Sequence, residues 1–204
     1  MVTGAHRAGV GVGVVLLPSL PDPLPTHWNS QGVVDGVTAK PGGAFIGPVV
    51  MALMTLVFAA LPRLSPAGYA LERFERSYAV VQVALVAFIG VVSSAALLTA
   101  VGVPLSMPAV TSVALAALLG VLAWQAPRLE RNFFVGIRTP WALLDDDNWK
   151  KTHLVFARLL GGAALVTLLS VVAPLPELAW LVAIGASVLA AIVWSWWLSR
   201  STVA

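Results

Sequence analysis

The sequence predicts an all-α fold, a polytopic integral membrane helix bundle with about six transmembrane helices, the first one short. Apolar residues make up 59% of the 204 residues and charged residues only 10%, whereas a soluble domain usually carries about 25% charged residues. The apolar residues also gather in runs close to the ~20 residues that a helix needs to cross a bilayer. Because lipid offers the backbone no hydrogen bonds, a helix is the structure expected for each run.

Five of the six apolar runs are long enough to cross the hydrocarbon core. They cover, in chain order, about residues 44–61, 78–101, 108–126, 154–173 and 178–198. Short polar or proline-containing segments separate them. We therefore expect five complete spanning helices after the first run.

The first run, residues 8–20, contains only thirteen residues and includes Pro18. As a helix it would be about 20 Å long, short of the roughly 30 Å hydrocarbon core. It is a thin or tilted helix that borrows residues 2–7, a helix whose start lies upstream, or a signal peptide, since Arg7 precedes it. No small-x-small cleavage site follows and several prolines do, which favours a retained, shortened first helix.

The basic residues predict the orientation of the chain. With six helices and an inner N-terminus, ten of the twelve Lys and Arg residues fall in inner segments, Lys40 falls outside and Arg158 lies within the fifth run. Such an excess is typical of cytoplasmic loops. We therefore predict a multi-pass protein of the cell membrane with residues 21–43 outside and residues 127–153 and both termini cytoplasmic.

Several function classes have no support in the composition. Cysteine is absent, which excludes disulfides, thiol catalysis and Cys-ligated metals. The net charge is +3, but the charges lie in short loops and form no basic stripe that would track phosphates, so direct nucleic-acid binding is not expected. The predicted topology separates His6, His27 and His153, so no catalytic group assembles and we expect neither an enzyme nor a cofactor.

The predicted outer segment concentrates polar and aromatic residues after a run of prolines. His27, Trp28 and Asn29 are consecutive, and Gly32 and Gly36 suit turns. Either this is an interfacial loop anchored by Trp28, in which His27 and Asn29 bond the loop to itself, or it is a recognition surface. A metal site is less expected, because zinc takes three or four ligands and only two are at hand. The candidate binding residues are His27, Trp28, Asn29, Gly32 and Asp35.

The predicted inner segment begins with a bend. Pro140 disfavours helix at Thr139, and Gly136 permits a tight backbone. Arg138, which lies between them, offers a planar fork of donors. Trp141 adds an aromatic face. The candidate binding residues of this segment are Asn132, Gly136, Arg138, Thr139, Pro140, Trp141, Trp149 and His153.

A helix is expected to follow the bend. Asp145 is a plausible N-cap, with two further aspartates in the first turn. Trp149 and His153 are four residues apart and so share one helical face. An amphipathic surface helix that leads into the fifth span would explain Trp149 and the two lysines after it, but it explains the Gly136-Ile-Arg-Thr-Pro-Trp141 string poorly.

Both segments resemble known families. Leu24-Pro-Thr-His-Trp-Asn-Ser-Gln-Gly, followed by Asp35, resembles a short domain of unknown function that often opens such proteins. Asn132-Phe-Phe-Val-Gly-Ile-Arg-Thr-Pro-Trp, followed by Trp149-Lys-Lys-Thr-His, resembles the SdpI family signature. The resemblance covers nearly the whole chain, although Leu154 and the residues after Trp141 depart from the usual pattern.

The resemblance implies a function that the residues alone do not reveal. The SdpI family is named for a membrane immunity protein against a secreted killing peptide, and its type protein also holds a transcriptional repressor at the membrane. The resemblance therefore implies three partners, namely membrane lipids, a peptide toxin outside the cell and a repressor protein inside it. We expect residues 1–62 to form an N-terminal helix pair with the outer loop, and residues 63–204 to form an SdpI-like four-helix region.

Two alternatives remain at this stage, a small-molecule transporter and a membrane hydrolase. Buried charge within a span marks transport pathways, and Arg158 is the one such residue in the sequence. Snorkelling of its side chain to the interface is the simpler explanation. A hydrolase would need a positioned nucleophile or metal, and no His-Glu-x-x-His or Gly-x-Ser-x-Gly string occurs.

The topology can be tested by thiol labelling, because the chain contains no cysteine. We expect Ser30→Cys to react with an impermeant maleimide in intact cells, and Asp145→Cys to react only after permeabilisation. Labelling of Asp145→Cys from outside would overturn the orientation.

Overall fold

The structure is a computed structural model that describes residues 11–64, 74–173, 175 and 178–201. The described part is helical except for one β-hairpin and the connecting loops. The first helix is followed by a 3-10 turn at Leu17–Ser19. The elements are α1 (residues 11–16), β1 (Leu24–Trp28), β2 (Val34–Thr38), α2 (Lys40–Ala60), α3 (Glu75–Ala100), α4 (Met107–Gln125), α5 (Pro140–Leu144), α6 (Asp146–Leu169) and α7 (Ala179–Ser201).

The long helices confirm the predicted membrane fold. Within the described residues, five helices are long and apolar enough to cross a bilayer, namely α2, α3, α4, α6 and α7. Their limits lie within a few residues of the apolar runs, with one larger difference. The helix of the fifth run begins at Asp146 rather than near residue 154. Its start is determined by the Asp145 cap, because a helix can extend beyond its apolar stretch wherever its first N–H groups are satisfied.

The short first helix is also present. The described helical residues end at 16, and Pro18 lies in the 3-10 turn that follows. Residues 8–10 of the predicted first run lie outside the described residues, and so do His6, Arg7, Glu72 and Arg73.

One compact unit contains residues 1–58 and 82–115. Its apolar core joins Leu20 and Leu24 to Ala44 and Leu97. Gly47 of α2 lies against α3 so closely that a Cβ atom there would be 2.4 Å from the Ser93 Cβ. The two helices therefore make a close approach that only glycine permits at this position.

The second compact unit contains residues 59–81 and 116–204. α6 packs along α7, and its buried residues follow a helical repeat from Asn148 through Leu160 to Thr167. Many large apolar side chains of α7 are exposed, including Leu189 and Val193, as expected for a helix that faces lipid.

Gly161, Gly162 and Gly185 do not mark a close approach between described helices. A Cβ atom at any of the three would meet nothing within 4 Å among the described residues. Small residues permit a close approach, but the packing partner decides where one occurs.

Candidate functional site

The predicted outer segment folds as a two-stranded antiparallel hairpin. β1 pairs with β2 in a register that places Leu24 opposite Thr38 and His27 opposite Gly36. The Thr26 and Thr38 hydroxyls are 3.0 Å apart, and Leu24 is only 1% exposed. The hairpin thus has a buried, hydrogen-bonded base from which its tip extends.

Asn29 and Gly32 build the turn at that tip. The Asn29 Oδ1 accepts hydrogen bonds from the backbone N–H groups of Gln31 at 3.1 Å and Val33 at 2.9 Å. Gly32 has a φ of +78°, a left-handed conformation that glycine adopts without strain, and its N–H donates to the Asn29 carbonyl at 2.9 Å. Both residues therefore have a structural role in shaping the loop.

His27 and Asp35 form an exposed pair across the hairpin. The distance from His27 Nδ1 to Asp35 Oδ1 is 2.5 Å, with the side chains 71% and 45% exposed. A Cβ atom at Gly36 would be 2.9 Å from the His27 Cβ. Gly36 thus lies in a strand and leaves room beside His27, so the predicted turn at Gly36 is wrong. No group of three or more His, Asp or Glu side chains among the described residues is placed to hold a metal ion.

The outer candidate residues therefore have features of both an interfacial loop and a recognition surface. Asn29 and the His27–Asp35 pair bond the loop to itself, as an interfacial loop requires. The His27 ring nevertheless remains largely exposed, and Trp28 beside it is half-buried. The hairpin can present these two side chains in a fixed geometry.

The inner segment begins with a turn organised by Asn132, whose side chain is fully buried. Its Nδ2 donates to the carbonyls of Glu130 at 2.9 Å and Val135 at 3.0 Å, and its Oδ1 accepts from the N–H groups of Phe134 at 2.9 Å and Val135 at 2.7 Å. All the hydrogen-bond donors and acceptors of its side chain are used by backbone groups, so Asn132 replaces the water that this turn would otherwise need.

Gly136 and His153 meet directly. Gly136 has a φ of +113°, and a Cβ atom there would be 2.2 Å from the His153 Nε2. That nitrogen instead accepts the Ile137 N–H at 3.0 Å, while Nδ1 lies 2.8 Å from the Trp149 carbonyl. Since a carbonyl only accepts, Nδ1 carries the proton and the imidazole is neutral in this arrangement.

Trp149 supports the other side of the His153 ring. The two rings stack with centroids 4.0 Å apart, and the Trp149 Nε1–H donates to the Leu129 carbonyl at 2.7 Å. The predicted common face of Trp149 and His153 is thereby confirmed. Both side chains are almost fully buried, at 2% and 1% exposure, so their direct role is to hold the loop rather than to meet a partner.

A second set of buried hydrogen bonds joins the bend to α6 and α7. The Thr139 and Ser195 hydroxyls are 2.9 Å apart. Ser195 Oγ also donates to Asn148 Oδ1 at 2.7 Å, and Asn148 Nδ2 donates to the Ser195 carbonyl at 2.9 Å. Thr152 completes the network by donating to Asn148 Oδ1 at 3.1 Å. Asn148, Thr152 and Ser195 were not among the predicted site residues.

Arg138 lies between two buried anchors, the Ile137–His153 hydrogen bond and the Thr139–Ser195 hydrogen bond. Its own side chain is directed away from the buried residues. Its neighbours Ile137 and Thr139 are buried, at 7% and 9% exposure, whereas Arg138 itself is exposed. Its Nη1 donates to the Phe133 carbonyl at 2.7 Å. The bend thus presents the guanidinium on a backbone that is fixed on both sides.

The predicted bend at Pro140 is followed by the short helix α5, which the sequence analysis did not predict. Thr139 is its N-cap, with its hydroxyl accepting from the Ala142 N–H at 3.3 Å, and Pro140 is its first residue. Trp141 is half-buried, and its Nε1 is buried without a hydrogen-bond partner in the described part of the chain.

The start of α6 also agrees with the sequence. Asp145 caps it by accepting the Asp147 N–H at 2.9 Å. Asp146 is 2.9 Å from Arg131 Nε, and Asp147 is 2.7 Å from Lys151 Nζ. Because these ion pairs are solvent-exposed, they contribute about 0–1 kcal/mol each, and the buried hydrogen bonds are the stronger restraint on the loop.

The one sequence signal for the hydrogen-bond network around Ser195, which the sequence analysis did not predict, was a serine between aromatic residues of an apolar helix. Ser195 lies between Trp194 and Trp196, and a polar residue in a span usually has a partner on a neighbouring helix. The identity of that partner, far away in the chain, has no local signal.

Comparisons with known proteins agree with the resemblances read from the motifs. Residues 128–197 match the SdpI/YfhL protein family, and residues 8–52 match a domain of unknown function, DUF1648. The chain is 24% identical over 150 residues to the immunity protein SdpI of Bacillus subtilis (strain 168), which covers 72% of this chain and 68% of that protein. No solved structure matches the chain. The predicted family resemblance is thereby confirmed.

The contact between Gly136 and His153 yields a test with a matched control. Gly136→Ala should lower the melting temperature of the purified protein more than Gly102→Ala. Both glycines have a positive φ, +113° and +94°, but only a Cβ at 136 meets another residue. Backbone strain alone costs about 1–3 kcal/mol, and the contact with His153 adds to it. Equal melting temperatures for the two variants would contradict this assignment.

Proposed function

We propose that this chain, which carries an SdpI/YfhL family region together with a DUF1648 region, protects its cell against a secreted peptide toxin. It is a multi-pass membrane protein of the immunity type, as its similarity to the immunity protein SdpI indicates. The main structural support for the proposal is the exposed Arg138, which is held between the buried residues Ile137 and Thr139. It lies within residues 128–197, the part of the chain that matches the SdpI/YfhL family. The toxin, and a soluble partner inside the cell, are the finer parts of the proposal.

The hairpin is the proposed toxin-recognition surface. His27 and Trp28 lie on a strand with a buried base, and the His27 ring is exposed. A preorganised loop binds at a lower entropic cost than a disordered one, because fewer side-chain and backbone rotations are lost. The basic-residue asymmetry predicts that this surface faces outward, where a secreted peptide would arrive.

The bend at Arg138 is the proposed inner binding surface. A guanidinium has five donors, and the hydrogen bond to Phe133 uses one of its two terminal nitrogens. A carboxylate, a phosphate or a set of backbone carbonyls is the chemistry that such a fork binds. A soluble protein such as a transcriptional repressor would supply these groups on the predicted cytoplasmic side.

A transporter is less well supported than an immunity protein. Arg158, the charged residue within the fifth apolar run, has an exposed side chain on α6. An arginine at such a position extends its side chain to the membrane interface, which requires no transport pathway.

The decisive experiment is survival of a toxin-sensitive strain that lacks its own immunity protein. Expression of this chain should raise the toxin concentration that the strain tolerates, and an empty vector should not. Sensitivity that stays unchanged at normal membrane abundance of the chain would overturn the proposed function.

The outer surface is tested in the same strain. His27→Ala and Trp28→Ala should each reduce protection while membrane abundance stays normal, because the hairpin base does not include these side chains. Ser30→Ala, an exposed residue at the turn, is the matched control and should protect fully. Loss of protection only together with loss of the protein would make the hairpin a structural element.

The inner surface is tested by a charge-conserving change. Arg138→Lys should reduce protection at matched protein levels by about tenfold in tolerated toxin, the effect of losing one charge-assisted hydrogen bond. Lys150→Ala removes another exposed charge of the predicted inner segment and should have little effect. Full activity of Arg138→Lys would mean that the residue only anchors the loop at the interface.

A further inference from the structure

Ser195 differs from Ser187 and Thr167, two other buried hydroxyl residues of the long helices. Ser187 donates to the Ala183 carbonyl and Thr167 to the Ala163 carbonyl, each four residues earlier in its own helix. Such bonds satisfy a hydroxyl without any partner from another helix. Ser195 is 0% exposed and instead directs its hydroxyl to Asn148 on α6.

The hydrogen bonds around Ser195 have a consistent direction. Because its own hydrogen goes to Asn148 Oδ1, its oxygen can only accept from Thr139, whose oxygen in turn accepts the Ala142 N–H. Asn148 then uses its oxygen for two hydroxyls and its nitrogen for the Ser195 carbonyl. A fully satisfied buried network holds a single arrangement, since losing one member leaves the others unpaired at a high cost.

This network fixes one side of the Arg138 backbone, and His153 fixes the other. Ile137 is bonded to α6 through His153, and Thr139 is bonded to α7 through Ser195. Because consecutive peptide groups are planar, anchoring residues 137 and 139 leaves little freedom to the backbone at 138. The direction of the guanidinium therefore depends on a serine 56 residues away from the bend.

We infer that Ser195 is a positioning residue for the inner binding surface, which it holds in its binding geometry through Thr139. The inference rests on the proposed function where it concerns protection against a toxin. It also makes a claim about the loop itself, which is measurable whether or not the chain protects a cell.

The first measurement is hydrogen–deuterium exchange of the purified full-length protein in lipid nanodiscs. In Ser195→Ala the amides of residues 137–144 should exchange about tenfold faster than in the wild type, the effect expected when a buried hydrogen-bond partner is lost. Ser187→Ala, the same change in the same helix at a similarly buried position, should leave these amides unchanged.

Thr139→Val provides an independent variant that keeps side-chain volume and removes the hydroxyl. It should accelerate exchange of the same residues at least as much as Ser195→Ala, because it also removes the cap of α5. The double variant with Ser195→Ala should exchange no faster than Thr139→Val alone. Unchanged exchange of residues 137–144 in both single variants would overturn the inference, and so would a uniform increase over the whole chain.

The second measurement distinguishes this inference from the proposed function. If the wild type gives no protection, the proposed function fails, while the exchange result still decides whether Ser195 positions the loop. If the wild type protects, Ser195→Ala should reduce protection, and it should add little to the loss caused by Arg138→Lys. If Ser195→Ala reduced protection as much in the Arg138→Lys background as in the wild type, Ser195 would not act through Arg138.

Discussion

Most of this chain is expected to lie in lipid, where no water is available to complete an unpaired hydrogen bond. This constraint explains the long helices, and burial inside the protein imposes a similar constraint on the loop between α4 and α6. Asn132, His153 and Asn148 each have their polar atoms matched to backbone or side-chain partners. A loop that leaves the helical pattern in such surroundings is stable only when side chains take over the role of the missing hydrogen bonds.

Histidine and glycine meet in both candidate surfaces, with different consequences. Gly36 leaves room beside His27, and Gly136 leaves room beside His153, at positions where a Cβ atom would be within 2.9 Å and 2.2 Å of the histidine. His27 is exposed and its partner is a carboxylate, so the ring stays available to a ligand. His153 is buried and both of its nitrogens are used, so it holds the backbone in place and presents its neighbour Arg138.

An immunity protein needs a surface that meets the toxin, and a signalling protein needs a second surface for a soluble partner. Under the proposed function the two polar segments would supply one surface each, and each segment combines a preorganised backbone with an exposed side chain. Coupling between them would require two states of the protein with different affinities for the two partners. The hydrogen bonds of Thr139 and Ser195 are an element that could differ between such states, because they join the inner bend to a spanning helix.

The sequence by itself determined the five long helices, the Asp145 cap, the bend at Pro140, the common face of Trp149 and His153, and the resemblance to the SdpI family. All of these depend on hydropathy or on residues within about four positions of one another, and such local effects act wherever the helices pack. Only the tertiary structure decided that Gly36 lies in a strand, that Gly161 and Gly162 are open, and that Ser195 holds Thr139. These contacts join residues that are distant in the chain or depend on the neighbour across a strand or helix interface, and neither hydropathy nor spacing encodes which residue that neighbour is.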